Sequence, residues 1–68
     1  MTRYEDMDAS ELRGELDYWR EQSLKLAEEV VNAVEAGDLV RAGAIGMGFR
    51  QALGMVRRLR RLLLIEAA

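Results

Sequence analysis

Apolar residues recur along the first half of the chain in alternating steps of four and three. The series is Leu12, Leu16, Trp19, Leu26, Val30 and Ala33, with Ser23 as its one polar member. This spacing brings a side chain to the same side on each turn and is typical of a helix that packs along a heptad seam. It predicts a first helix over about residues 9–36. Asp8 suits its N-cap because Glu11 follows three residues later, as in a capping box.

The second half of the chain repeats the pattern more regularly, after a short break. Its seam consists of Ala42, Ile45, Phe49, Ala52, Val56, Leu59 and Leu63. This predicts a second helix over about residues 39–65. Gly37 suits the left-handed residue that ends a helix, and Asp38 suits the cap of the next. Because short connections join antiparallel neighbours, a turn at 37–38 predicts an all-α hairpin, with residues 1–8 as a polar tail on a single domain, 1–68.

Folding at this turn should place the two seams opposite each other. The expected pairs are Val30–Ile45, Leu26–Phe49, Ser23–Ala52, Trp19–Val56 and Leu16–Leu59. The predicted core and dimer residues are Leu16, Trp19, Leu26, Val30, Ile45, Phe49, Val56 and Leu59. Among them, we expect the most buried side chains to be Leu16, Trp19, Phe49, Val56 and Leu59.

Four glycines interrupt the second helical pattern, at Gly43, Gly46, Gly48 and Gly54. At about 1 kcal/mol each relative to alanine, they weaken this helix by about 4 kcal/mol. Either the helix breaks near Gly46–Gly48, or the glycines admit a close neighbour. We favour close packing, because small residues at a spacing of four let two backbones approach.

The small size of the chain favours self-association. A core built from 68 residues rarely supplies more than about 3–5 kcal/mol, and small domains usually add disulfides, a metal or a second subunit. The chain has no cysteine and no histidine, which leaves the second subunit. Apolar residues outside the seams also exceed what one hairpin can bury. We therefore predict a homodimer that forms a four-helix bundle; a docking groove for another protein's helix is the alternative.

The residues that most enzymes use are missing. Without cysteine or histidine, Ser10 and Ser23 have no nearby base, and the glycine-rich stretch 43–48 lacks the lysine of a phosphate loop. We predict no enzymatic activity, no cofactor and no metal.

The longest charge-free apolar run, residues 42–49, is too short to span a bilayer, and no secretory signal opens the chain. A cytoplasmic protein is expected, and a membrane-surface helix is disfavoured because arginines surround Leu59.

Charge is divided between the two helices. The first holds seven acidic and three basic residues, and the second holds six arginines. The candidate partner-binding residues form a basic face on the second helix: Arg50, Arg57, Arg58 and Arg61. Such a face can bind an acidic protein or phosphate groups. Alternatively, the arginines serve the fold by pairing with the first helix, as Arg60 would with Glu15. Tyr18, outside the seam, is a possible interface anchor.

Part of the first helix resembles a known family. The residues that carry this resemblance are Arg20, Gln22, Ser23, Leu24, Leu26 and Glu28, which are similar to a stretch of the plasmid-encoded Rop-type hairpins. The resemblance implies an antiparallel dimer of hairpins. This chain departs from that family in the charge of its first helix, because Rop-type proteins bind RNA through basic first helices and this helix is acidic. The chain also has Leu12–Arg13 followed by Asp17–Tyr18–Trp19, and the run Phe49–Arg50–Gln51–Ala52–Leu53. In these stretches it resembles the short helical regulators of phages and other mobile elements, which bind and inhibit host proteins.

Together these features predict a small non-enzymatic regulator or inhibitor. It would act as a homodimer that occupies the surface of a partner protein. The alternative is a nucleic-acid-binding helical bundle that uses the arginine face of the second helix.

Overall fold

The computed structural model describes residues 6–67, and the side chains of residues 6–65. Two helices, α1 (Ala9–Glu35) and α2 (Leu39–Ala67), pack against each other as a hairpin measuring 46 × 18 × 17 Å. The predicted all-α hairpin is therefore confirmed. Helix α1 ends one residue before the predicted boundary and α2 continues two residues beyond it. Residues 1–5 of the predicted tail lie outside the described range.

Asp8 begins α1 through its side chain. Its backbone is extended, and Oδ1 accepts a hydrogen bond of 2.8 Å from the backbone N–H of Glu11. This bond satisfies one of the N–H groups that have no partner in the first turn of a helix. Leu12, in the next position, is only 2% exposed, so the start of α1 is fixed by both a cap and a buried side chain.

The turn between the helices is a glycine cap. Gly37 has a φ of 77°, and its N–H donates to the Val34 carbonyl at 3.0 Å. The N–H of Asp38 donates to the Ala33 carbonyl at 2.9 Å, which completes a Schellman motif. Asp38 Oδ1 then accepts from the N–H of Arg41 at 3.0 Å and caps α2. The chain therefore reverses direction within three residues.

The interface between the helices is built largely from small residues. The buried side chains are Leu12, Ser23, Ala33, Ala42, Ala52, Val56 and Leu59. Ser23 is accommodated there because its Oγ donates to the Trp19 carbonyl, one turn earlier, at 2.8 Å. The predicted pairing is consistent with the approach of Leu26 to Gly48, the neighbour of Phe49.

The larger seam residues are covered only in part. Val56 and Leu59 are buried, whereas Leu16, Trp19 and Phe49 are half-buried, so the expectation that these three rank among the most buried residues does not hold in a single hairpin. The physical reason is the thickness of the structure. Two helices enclose a large side chain only where it projects directly between them, as Leu12 and Leu59 do, and they cover the other large side chains on one side only.

Helix α2 is continuous through Gly46–Gly48, so the break that was the alternative to close packing does not occur. A Cβ added at Gly48 would lie 3.9 Å from Cδ1 of Leu26, an ordinary van der Waals contact. A Cβ added at Gly43, Gly46 or Gly54 would meet nothing within 4 Å in the described part of the chain. Packing inside the hairpin therefore does not require any of these glycines. Neither helix is both long and apolar enough to cross a membrane, over the residues described.

Candidate interaction surfaces

The line of contact between the helices divides the surface into two flanks. The tryptophan flank contains a cleft lined by Trp19, Leu26, Gly48, Gln51, Gly54 and Met55. The arginine flank contains a cleft lined by Arg20, Ser23, Leu24, Leu53, Val56 and Arg60. Both clefts receive residues from α1 and α2. They differ in charge, because the first has no ionised side chain in its lining and the second has two guanidinium groups.

The cleft of the tryptophan flank has a volume of about 610 Å³. Trp19 forms one wall and is half-buried, and its Nε1 is buried with no acceptor in the described part of the chain. Buried N–H groups normally have a partner, so this donor marks an incomplete environment. Met55 and Leu26 are also half-buried. The cleft is therefore an apolar surface that the hairpin covers only partly.

Tyr18, the predicted interface anchor, is exposed next to this region. Its ring meets the Trp19 ring edge-on, with centroids 5.3 Å apart and planes at 87°. This T-shaped arrangement is a favoured geometry for two aromatic rings. It holds Tyr18 against Trp19 while leaving 53% of the tyrosine accessible to a partner.

The cleft of the arginine flank is smaller, at about 220 Å³. Arg60 lies there with Arg20, and no Glu15–Arg60 ion pair forms within residues 6–67, contrary to expectation. Glu15 lies one turn before Trp19 and so belongs to the opposite flank. Glu15 and Arg60 lie at about the same distance from the turn, but they project on opposite sides of the hairpin and so do not meet. The position of each residue around its helix, which follows from the sequence at 3.6 residues per turn, is the signal that shows this.

The outer side of α2 carries what we call the basic edge: Arg50, Arg57 and Arg61. All three are exposed, and none forms an ion pair with any other described residue. Arg58, the fourth predicted partner-binding residue, is exposed as well and is engaged in an interaction of its own. At the basic edge, therefore, no ion pair with α1 supports the alternative that these arginines stabilise the fold.

The outer side of α1 carries an acidic edge, formed by Glu21, Glu28 and Glu35, all exposed. Here Glu21 forms an ion pair with Lys25 one turn later, at 3.6 Å. Both side chains are about two-thirds exposed, so the pair contributes little to stability. The hairpin thus presents opposite charges on its two outer edges.

Six of the eight predicted core and dimer residues are half-buried, and the other two, Val56 and Leu59, are buried. Half-buried positions are Leu16, Trp19, Leu26, Val30, Ile45 and Phe49. Large apolar residues outside the seams are more open, and the most exposed are Leu24, Leu39, Val40, Met47, Leu64 and Ile65. The surplus of apolar residues noted in the sequence is therefore present on the surface of the hairpin. No group of three or more histidine, cysteine or acidic residues is arranged to hold a metal ion among the residues described.

Comparisons of this chain with protein-family models, curated proteins and solved structures find no match. The resemblance to Rop-type hairpins and to phage regulators therefore stays a prediction. What the chain does has to be inferred from its flanks and edges.

Proposed function

We propose that this chain is a non-enzymatic regulator that works as a homodimer and binds an acidic surface of a partner protein through its basic edge. The observation that carries the proposal is the set of three exposed arginines, Arg50, Arg57 and Arg61, without an ion pair among the described residues. A guanidinium group offers a planar fork of donors that matches a carboxylate. Three of them on one side of a helix favour a partner that presents several carboxylates.

The distribution of charge favours an acidic protein over a nucleic acid. The whole chain has a formal net charge of −2, and the acidic edge of α1 lies on the far side of the hairpin from the basic edge. An extended polyanion is attracted to the arginines but repelled by the rest of the molecule. A partner protein whose acidic residues form a local patch can contact the basic edge of α2 without approaching the acidic edge of α1. No aromatic residue lies between the arginines to stack on a base.

Gly43 supports a close approach at this edge. It follows the same outer side as the arginines, and an added Cβ there would meet nothing within 4 Å in the described structure. No side chain therefore protrudes from the helix surface at this position beside the guanidinium groups. A flat partner can approach the basic edge there without colliding with a side chain.

Charge reversal tests the role of the basic edge. We expect the triple variant Arg50→Glu, Arg57→Glu, Arg61→Glu to keep its helical content and its dimer, because these side chains have no ion pairs within the described hairpin. Binding of an acidic probe, a polyglutamate peptide, should be lost. The matched control reverses the acidic edge with Glu21→Lys, Glu28→Lys and Glu35→Lys, and should retain the probe.

Two outcomes would overturn the proposal. If the triple arginine variant unfolds or dissociates, the basic edge stabilises the fold or the dimer. Submicromolar binding of duplex DNA or RNA that falls steeply with salt would instead assign the arginines to phosphate contacts, since counterion release makes such binding strongly salt-dependent. A protein retained from lysate by the wild type supports the proposal only if the acidic-edge control retains it and the arginine variant does not.

A further inference from the structure

We infer that a second copy of this chain docks on the tryptophan flank, so that the two hairpins bury the cleft around Trp19, Gly48 and Met55 between them. The inference rests on the homodimer of the proposed function and names the surface that forms it. It assigns the tryptophan flank to self-association and leaves the basic edge free for a different partner.

The exposed area of the hairpin matches what a dimer needs. A compact monomer of this mass, 7.7 kDa, exposes about 4,300 Å² by the usual scaling of surface with mass. The whole chain, terminal residues included, exposes 5345 Å², which is about 1,000 Å² more. A standard interface buries about 800 Å² on each partner. One flank covered by a second copy accounts for an excess of this size.

The chemistry of the two flanks decides which one a second copy covers. In a twofold dimer the same surface of each subunit meets its own copy, so a surface whose charges all have one sign is brought against charges of that sign. On the arginine flank, Arg20 and Arg60 would become a cluster of four guanidinium groups, which is unfavourable. The lining of the cleft on the tryptophan flank has no ionised residue, so two such linings can meet without this repulsion; Glu15 lies on the same flank but outside the lining.

Two further features of this cleft favour a close neighbour. Gly48 and Gly54 line it, and neither is required by packing within the described hairpin, so their lack of a side chain leaves room for a helix from outside. The buried Nε1 of Trp19 has no acceptor among the described residues. Gln51 is exposed at the same cleft, so its amide can donate hydrogen bonds to a second copy and accept them from it.

The test compares one substitution at two glycines of the same helix. Gly48→Leu fills the cleft of the tryptophan flank, whereas Gly46→Leu, two positions earlier, projects on the opposite side of α2. The two changes increase helix propensity equally. By sedimentation equilibrium we expect a wild-type dimer at micromolar concentration and a dissociation constant raised at least about tenfold by Gly48→Leu. Gly46→Leu should leave that constant unchanged.

Trp19 supplies a second readout, because it is the single tryptophan of the chain. Dilution of the wild type should open the cleft, shift the emission to longer wavelength and increase quenching by acrylamide. In Gly48→Leu the same change should occur at a concentration at least about tenfold higher, while circular dichroism confirms that the variant remains helical.

A wild type that stays monomeric throughout would overturn both this inference and the dimer of the proposed function. A dimer weakened by Gly46→Leu and not by Gly48→Leu would move the interface to the arginine flank, which refutes this inference alone. Equal weakening by both substitutions would also refute it, because the effect would not be specific to one flank.

Discussion

Asp38 serves both helices at once. Its N–H completes the cap at the end of α1, and its carboxylate begins α2 by accepting from Arg41. Roles of this kind follow from residues three to five positions apart, so Asp8, Gly37 and Asp38 could be assigned from the sequence. Burial is different, because it depends on how much of a side chain the opposite helix covers. Leu59 is fully buried, and Leu63, one turn later in the same seam, is half-buried.

This difference predicts unequal costs for the same substitution. Leu59→Ala removes a side chain with no exposed surface and should lower the free energy of unfolding by about 2–5 kcal/mol, including the cost of the cavity. Leu63→Ala is the matched control and should cost less, because its side chain already meets water and the site can collapse. Urea denaturation at one fixed protein concentration measures both. Equal losses would show that something outside the single hairpin covers Leu63.

At the scale of whole helices, periodicity and caps predicted both elements to within two residues, because these signals are local. Two features were not predictable in the same way. Whether α2 survives four glycines depends on packing energy, which competes with a propensity cost of about 4 kcal/mol. The flank on which each side chain projects depends on how the two helices are rotated about their axes when they pack. Arg60 and Glu15 lie at about the same distance from the turn, yet they project to opposite flanks.

The glycines of α2 offer a test at this scale. Gly43 is exposed, lies inside a continuous helix, and has open space where a Cβ would be. Gly43→Ala should therefore raise the free energy of unfolding by about 1 kcal/mol, the usual difference in helix propensity. Thermal and urea denaturation would measure the gain. A loss of stability would mean that another molecule, such as a second subunit, occupies the space beside Gly43.

The molecule as a whole combines an uncharged cleft with two edges of opposite sign. The uncharged cleft and the basic edge lie on different parts of the surface, so self-association through the cleft and partner binding through the edge need not compete. This arrangement also carries a risk. The basic edge of one hairpin is complementary to the acidic edge of another, and such head-to-tail contact joins successive copies into rings or open-ended assemblies larger than a dimer.

Salt distinguishes the two modes of self-association. A dimer formed through the tryptophan flank buries apolar groups, so its dissociation constant should stay constant or decrease when sodium chloride is raised from low to high concentration. Contact between the edges depends on charges near water, so salt should weaken it. Sedimentation velocity should therefore show a single dimer at every salt concentration, and the triple reversal of Arg50, Arg57 and Arg61 should behave in the same way. Species larger than a dimer that dissolve in salt and vanish in the triple variant would show that the edges, and not the cleft, join the hairpins.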